Sequence, residues 1–264
     1  MCSAAPQSDD ILVVSGLVKH FGGIHAVDGC DFRIPVGSLV GLIGPNGAGK
    51  STVLELVSGS YKPDRGTIVF AGEEIQGLEP NEVFDRGIAR CFQIAREWPQ
   101  LTVLENLLIA SPVGGRDTIS FGLFRRRRAR ALEREQRERA LEILEKYRLY
   151  VVRNEFAFTL SGGQKRLLEF ARIAMARPRL ALLDEPMAGV NPVLQAEIER
   201  GIGELMAAGA TVLLIEHNLG FVERLCHQVI IMAQGKVLAA GLMKDLRDNE
   251  LVQEAYLGSV PGVS

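Results

Sequence analysis

Cysteine is scarce in this chain, and what there is does not pair. The four residues stand at positions 2, 30, 91 and 226, with no CxxC spacing. Neither a disulfide framework nor a cysteine-based zinc site is expected, and the usage fits a reducing cytoplasm. Positive charge is not in excess either. The 30 Lys and Arg against 32 Asp and Glu leave a formal net charge of −2. That removes the basic footprint of a nucleic-acid binder, so no nucleic-acid partner is expected. No apolar run approaches the roughly 18 residues of a membrane span. The opening residues, Met-Cys-Ser-Ala-Ala-Pro-Gln-Ser-Asp-Asp, hold no basic segment followed by an apolar one, so no secretory signal is expected. Internal repeats and low-complexity linkers are missing too. These absences lead to the expectation of a soluble, cytoplasmic chain that meets a membrane only through a partner.

The 264 residues, 47% hydrophobic and 23% charged, suffice for one large domain with a sizeable core. Ile11–Val14 and Ala26–Ile34 read as strands, with Gly22-Gly23 as the turn between them. Ser38–Ile43 (SLVGLI) is an apolar run ending in a glycine loop, and Ser51–Ser58 has helical spacing. Gly66–Phe70 is a further strand after a Pro63-Asp64-Arg65-Gly66 turn. The middle of the chain turns helical, over Val103–Ala110, Ala131–Leu149 and Gly162–Ala176. Strand signals return at Leu180–Leu183, Thr211–Ile215, Val229–Met232 and Lys236–Ala239. Strands alternating with helices predict a parallel α/β core, with the middle helical block inserted into it. The run Arg125–Arg128, followed by Arg130, reads most simply as a solvated loop and helix start. Joined to Phe121-Gly-Leu-Phe124, it reads instead as a surface for anionic headgroups or a partner.

Chemistry concentrates in three places. Gly44-Pro45-Asn46-Gly47-Ala48-Gly49-Lys50-Ser51 matches GxxxxGK[ST] in full, between a predicted strand and a helix. Glycines let successive N–H groups turn inward around phosphate oxygens, and the helix N-terminus adds its dipole. Lys50 would reach the β- and γ-phosphates, and the Ser51 hydroxyl would ligate Mg²⁺. Gly44, Asn46, Gly47, Gly49 and Thr52 complete the candidate nucleotide cradle. Leu180-Ala-Leu-Leu183 then ends in Asp184-Glu185, the form expected of a buried parallel strand carrying carboxylates at its tip. Asp184 would hold the metal, and Glu185 would orient and deprotonate the attacking water. Leu160-Ser161-Gly162-Gly163-Gln164 repeats the anion-binding device, with a Ser hydroxyl and glycine amides at a helix start. A plain Ser-Gly-Gly helix cap is the alternative there.

The pentapeptide at 160–164, upstream of the Asp184 strand, resembles the signature of ATP-binding cassette (ABC) proteins. The resemblance covers nearly the whole chain and places further residues. Phe21 matches the aromatic that stacks on adenine, a turn or core phenylalanine being the alternative. Gln93, in Cys91-Phe-Gln-Ile94, matches the glutamine that touches Mg²⁺ and the water and senses the membrane partner. His217, after TVLLIE, matches the histidine on the γ-phosphate; His20, His25 and His227 match nothing. The AGVNP of 188–192, where Asn191 replaces the family's usual Asp, is similar to the AGLNP of branched-chain amino acid, urea and amide importer ATPases. The Glu254-Ala-Tyr-Leu-Gly258 ending and the long stretch from Gln93 to the signature are similar too. That stretch favours the longer of the two paralogous ATPases such systems carry.

The resemblance implies a P-loop NTPase (RecA-like) parallel-sheet core with an N-terminal antiparallel β subdomain and an inserted α-helical subdomain. One cassette would span 9–258, with 9–92 and 178–258 as core and 93–177 as helical and signature subdomain. It implies an ATPase using ATP and Mg²⁺, with nucleotide sandwiched between two cassettes. Lys50, Ser51, Gln93, Asp184, Glu185 and His217 would act within one subunit. Ser161 and Gly163 would act from the other, with Gly162 and Gln164 beside them as further nucleotide-binding candidates. Implied partners are transmembrane subunits of a transporter, a second cassette ATPase and, indirectly, a solute-binding protein. The implied place is the inner face of the cell membrane. A soluble cassette ATPase of the iron–sulfur cluster assembly kind is the second reading.

Overall fold

Two sheets organise the computed structural model, which describes residues 9–91, 98–112 and 126–246 (126–129 by backbone only). The first sheet has the order β2-β1-β4-β5 and is antiparallel throughout. Strand β1 (Asp10–Phe21) pairs with β2 (Ile24–Pro35) and with β4 (Arg65–Phe70); β5 (Glu73–Glu74) closes the edge. The sequence pattern predicts a strand over Ile11–Val14 only. The strand instead continues through a register shift between Val14 and Leu17. Gly16 turns there at φ +57° and donates its N–H to Asp31 Oδ1 at 2.8 Å. The bulge breaks the two-residue alternation that a sequence pattern relies on.

The second sheet has the order β10-β9-β3-β8-β7-β6. Its centre is β3 (Leu39–Ile43), β7 (Leu180–Asp184) and β8 (Thr211–Ile215), and all five positions of each are buried. Such continuous apolar runs suit strands covered on both faces. Strands β3, β7, β8 and β9 (Gln228–Ala233) run parallel, and β10 (Lys236–Gly241) returns antiparallel. Strand β6 (Ile88–Cys91) lies beside β7. One apolar core joins the two sheets, with Leu12, Leu17 and Ile34 from the first and Leu42, Leu182 and Leu213 from the second.

Among the described residues, 9–90, 179–186 and 209–246 form one compact unit. The rest, including 187–208, form a second. The first holds α1 (Lys50–Val57) and a helix that the sequence reading did not predict, α2 (Pro80–Asp85). A capping box between Glu79 and Glu82, with Pro at the helix start, nucleates that short turn.

The second unit is helical, with α3 (Val103–Ile109), α4 (Arg126–Lys146), α5 (Gly162–Ala176) and α6 (Pro192–Ala207). Helix α4 starts five residues before the predicted Ala131, because a charged run satisfies helix propensity without showing an apolar stripe. Fully buried Asn106 ties the loop ahead of α3. It accepts from Trp98 N–H at 2.9 Å and donates to the carbonyls of Trp98 and Thr102, both at 3.0 Å. A buried amide so completely paired fixes one loop conformation.

Candidate functional site

The loop from Gly44 to Lys50 leaves the carboxyl end of β3 and enters α1. Its glycines are sterically required. A Cβ on Gly44 would stand 2.0 Å from Met232 O, and one on Gly49 would stand 2.2 Å from Ala26 O. Gly49 also caps α1 at φ +96° with no side chain bonded to the helix. The first N–H groups of α1 are therefore left for an external anion. Lys50 is nearly buried and donates to Gly44 O at 2.8 Å and Pro45 O at 2.9 Å. Burial lowers its pKa, and the charges of Glu185 and Asp184 pull it back up. A strap holds the loop from outside. Gly235 N–H donates to Ala48 O at 3.1 Å, and Asp28 N–H donates to Gly235 O at 2.8 Å. The Cys30 thiol also donates to Gly235 O, and burial pushes its pKa up to about 11, keeping it a donor.

The carboxylates arrive at the same end of the sheet. In register, Asp184 lies opposite Ile215, and Leu42 lies opposite Ile215 on its other side. Gly44, Glu185 and His217 therefore leave the sheet side by side at its carboxyl edge, where parallel sheets bind ligands. Glu185 adopts φ +48°, a left-handed conformation rare for a residue with a side chain. Its N–H donates to Ile215 O at 3.0 Å, which holds that strained turn. Its Oε1 lies 2.8 Å from His217 Nε2. An ionised carboxylate can only accept, so Nε2 carries the proton in that pair.

Asp184 is buried, and Arg90 Nη2 donates to its Oδ2 at 3.1 Å. Burial raises the Asp184 pKa, and the Arg90 hydrogen bond and charge lower it. The other oxygen, Oδ1, is buried without a hydrogen-bond partner among the described residues. A lone pair stranded at that depth is costly and marks where a cation or its water is wanted. With the Ser51 hydroxyl it would offer hard oxygen donors of the kind Mg²⁺ takes. Arg90, whose Nη2 also lies 3.9 Å from Glu55 Oε1 on α1, is a residue that the sequence pattern does not single out. Only its place one residue before Cys91-Phe-Gln pointed to it.

Phe21 ends β1 exposed, its ring edge-on to Tyr61 with centroids 5.1 Å apart and Lys19 Nζ 5.5 Å from its centre. It is thus a surface aromatic and not a core one, and Tyr61 was not foreseen. Asn46 and Gly47 are exposed at the loop tip, and Ser51 and Thr52 are half-buried in the first turn of α1.

The signature residues belong to the second unit. Ser161 caps α5: its Oγ accepts from Gln164 N–H at 3.3 Å, while Gln164 Oε1 accepts from Ser161 N–H at 2.9 Å. The cap uses the hydroxyl as acceptor only, so its proton stays available for an anion. Gly162 is exposed and Gly163 half-buried in the same first turn. Asn191 caps α6 by accepting from Leu194 N–H at 2.9 Å, a bond that needs no formal charge. Gln93, Phe121–Arg125 and 254–258 lie outside the described residues, as do the side chains of Arg126–Arg128.

The profile of the family described as ABC transporter matches residues 27–188. The high-affinity branched-chain amino acid transport ATP-binding protein BraF of Pseudomonas aeruginosa is 42% identical, over 96% of this chain and 99% of its own. Among solved structures, the ADP conformation of an ATP-binding cassette of an ABC transporter superposes with a TM-score of 0.78 at 34% identity. It covers 94% of this chain and 99% of that one. A dimeric cassette in a post-hydrolysis state, bound to ADP and Pi, gives 0.74 at 25% identity, over 88% of this chain and 98% of its own.

Proposed function

The chain belongs to the ABC transporter family of ATP-binding cassettes, and on that premise we propose that it powers a membrane importer of branched-chain amino acids or related small polar solutes. It is an ATP-binding, ATP-hydrolysing subunit. One observation carries the reading: the phosphate loop, Asp184, Glu185 and His217 leave three neighbouring parallel strands at one edge. The name of BraF supports the solute class. No helix among the described residues is long and apolar enough to cross a membrane. We therefore assign the translocation path to transmembrane partner subunits, with this chain on the inner face of the membrane. A solute-binding protein outside would deliver the cargo.

Each residue has a physical task. The amides of the phosphate loop and of α1 bind the β- and γ-phosphates, and Lys50 turns from its carbonyls to them. Mg²⁺, held by Ser51 and Asp184 with Gln93 as a further ligand, would supply charge neutralisation between the phosphate oxygens. Arg90 fixes Asp184 through Oδ2 and so aims Oδ1. Glu185 takes the proton of the attacking water, and His217 holds the Glu185 carboxylate and senses the γ-phosphate. Phe21 stacks on the base. Ser161, Gly162, Gly163 and Gln164 complete the site of a second cassette; that a neighbouring cassette structure is dimeric supports the pairing. ATP then favours the closed pair because only that state contacts it from both sides.

Arg90→Ala is expected to raise the Mg²⁺ concentration for half-maximal ATPase activity by about tenfold, the effect of losing a partner behind a metal ligand. Arg90→Lys should recover part of it. An unchanged Mg²⁺ dependence would remove Arg90 from the site.

The functional reading is tested by isolating the tagged chain from gently solubilised native cells. Two integral membrane proteins and a second cassette should co-purify. A soluble scaffold with no membrane protein would instead place the chain with the assembly ATPases.

A further inference from the structure

His20 and His25 face each other across the β1–β2 hairpin as paired residues, on either side of the turn that begins with Phe21. Their ring centroids are 3.9 Å apart at an interplanar angle of 44°. Asp28 lies three residues further along β2. One ligand atom from each of the three lies within 4.8 Å of the other two. His20 Nε2 is buried and has no hydrogen-bond partner among the described residues. A buried nitrogen without a partner normally signals a missing one.

We propose that His20, His25 and Asp28 form a binding site for a borderline divalent transition ion of the zinc class. Two imidazole nitrogens and one carboxylate oxygen suit such an ion, whereas Mg²⁺ demands an oxygen shell. Tetrahedral ligation at about 2.0–2.2 Å requires the three atoms to draw closer together. His25 is exposed and Asp28 half-exposed, so both side chains have room to do so. Lys236 Nζ lies 3.3 Å from Asp28 Oδ2 and competes for that oxygen, but both groups face solvent, where such pairs are weak. The other two histidines are placed differently. His227 Nδ1 accepts from Leu39 N–H at 2.8 Å, and His217 is paired with Glu185.

The site is tied to the nucleotide machinery by its backbone. Asp28 N–H bonds Gly235 O, and Gly235 N–H bonds Ala48 O in the phosphate loop. An ion shared by His20 and His25 also pins the Phe21–Ile24 turn from both ends. Any effect of that pinning on the nucleotide base rests on the stacking proposed for Phe21, but ion binding itself does not.

The test is Zn²⁺ binding by the full chain without nucleotide, read by titration calorimetry, with Co²⁺ absorption as a second signal. One ion is expected per chain. His25→Ala, at an exposed turn, should weaken it by about 10–100-fold or more, at least the loss seen when a supporting partner is removed. His20→Ala should do the same, and His217→Ala should leave it unchanged. Loss of the ion only in the His217 variant, or equal binding in wild type and both hairpin variants, would overturn the site. So would the absence of any saturable Zn²⁺ binding.

Discussion

Glu185→Gln should leave ATP affinity near the wild-type value and lower turnover by about 10²–10⁴-fold, the usual contribution of a positioned general base. The substitution is close to isosteric. A glutamine can hold the same left-handed backbone at φ +48° and can still accept from His217 Nε2–H through its amide oxygen. Only the capacity to take a proton is lost. A Glu185 role that was merely structural would therefore survive the change. Left-handed geometry in a non-glycine residue costs on the order of 1–3 kcal/mol and persists where the surroundings enforce it. Here the enforcing contacts are the bond to Ile215 O and the pairing with His217.

Without hydrolysis, ATP keeps its contacts to both cassettes, and the closed pair should accumulate. Size measurement with ATP should then show a species of twice the 28.8 kDa chain mass, or the corresponding pair with a paralogue. Single-turnover rates separate the chemical step from product release. A Glu185→Gln rate within a few-fold of wild type, beside a collapse in His217→Ala, would move the base from the glutamate to the histidine.

The parts of the site that could be read from sequence are those whose chemistry needs adjacent residues. A phosphate cradle needs consecutive amides, so its glycines, Lys50 and Ser51 stand together in the chain. A carboxylate at a strand tip needs an apolar run before it, so Leu180–Leu183 announced Asp184. Contacts across long separations left no such mark. Arg90 reaches Asp184 across 94 positions, and Tyr61 meets Phe21 only after the sheet has folded. His20 and His25 looked like loose histidines because their pairing depends on a hairpin register with several shifts. Secondary structure failed in the same way. The Gly16 bulge hid half of β1, and α2 is too short for an apolar period to show. Asn191 is the reverse case. In sequence it looks like a lost charge, and in the structure its amide oxygen makes the cap.

Lys50→Ala should weaken ATP binding by roughly 10–150-fold, from about 1.5–3 kcal/mol for a hydrogen bond between charged groups. Its effect on folding should be smaller than that of most buried substitutions. The ammonium sits nearly out of solvent on two carbonyl oxygens, and burial lowers its pKa. A lysine whose folded pKa lies below its unfolded one costs stability wherever it is charged, and that cost fades as pH rises through the folded value. Removing it relieves the cost but leaves the carbonyls of Gly44 and Pro45 without that donor, so the two effects oppose each other. The melting temperature without nucleotide should therefore stay close to wild type. The rise in melting temperature that ATP produces should shrink, because a ligand stabilises in proportion to the logarithm of its concentration over Kd. Binding titration and thermal melts on the same preparation separate the two quantities. A lower melting temperature without ligand, with the ATP-induced rise intact, would make Lys50 a structural strut of the loop and not the group that grips the phosphates.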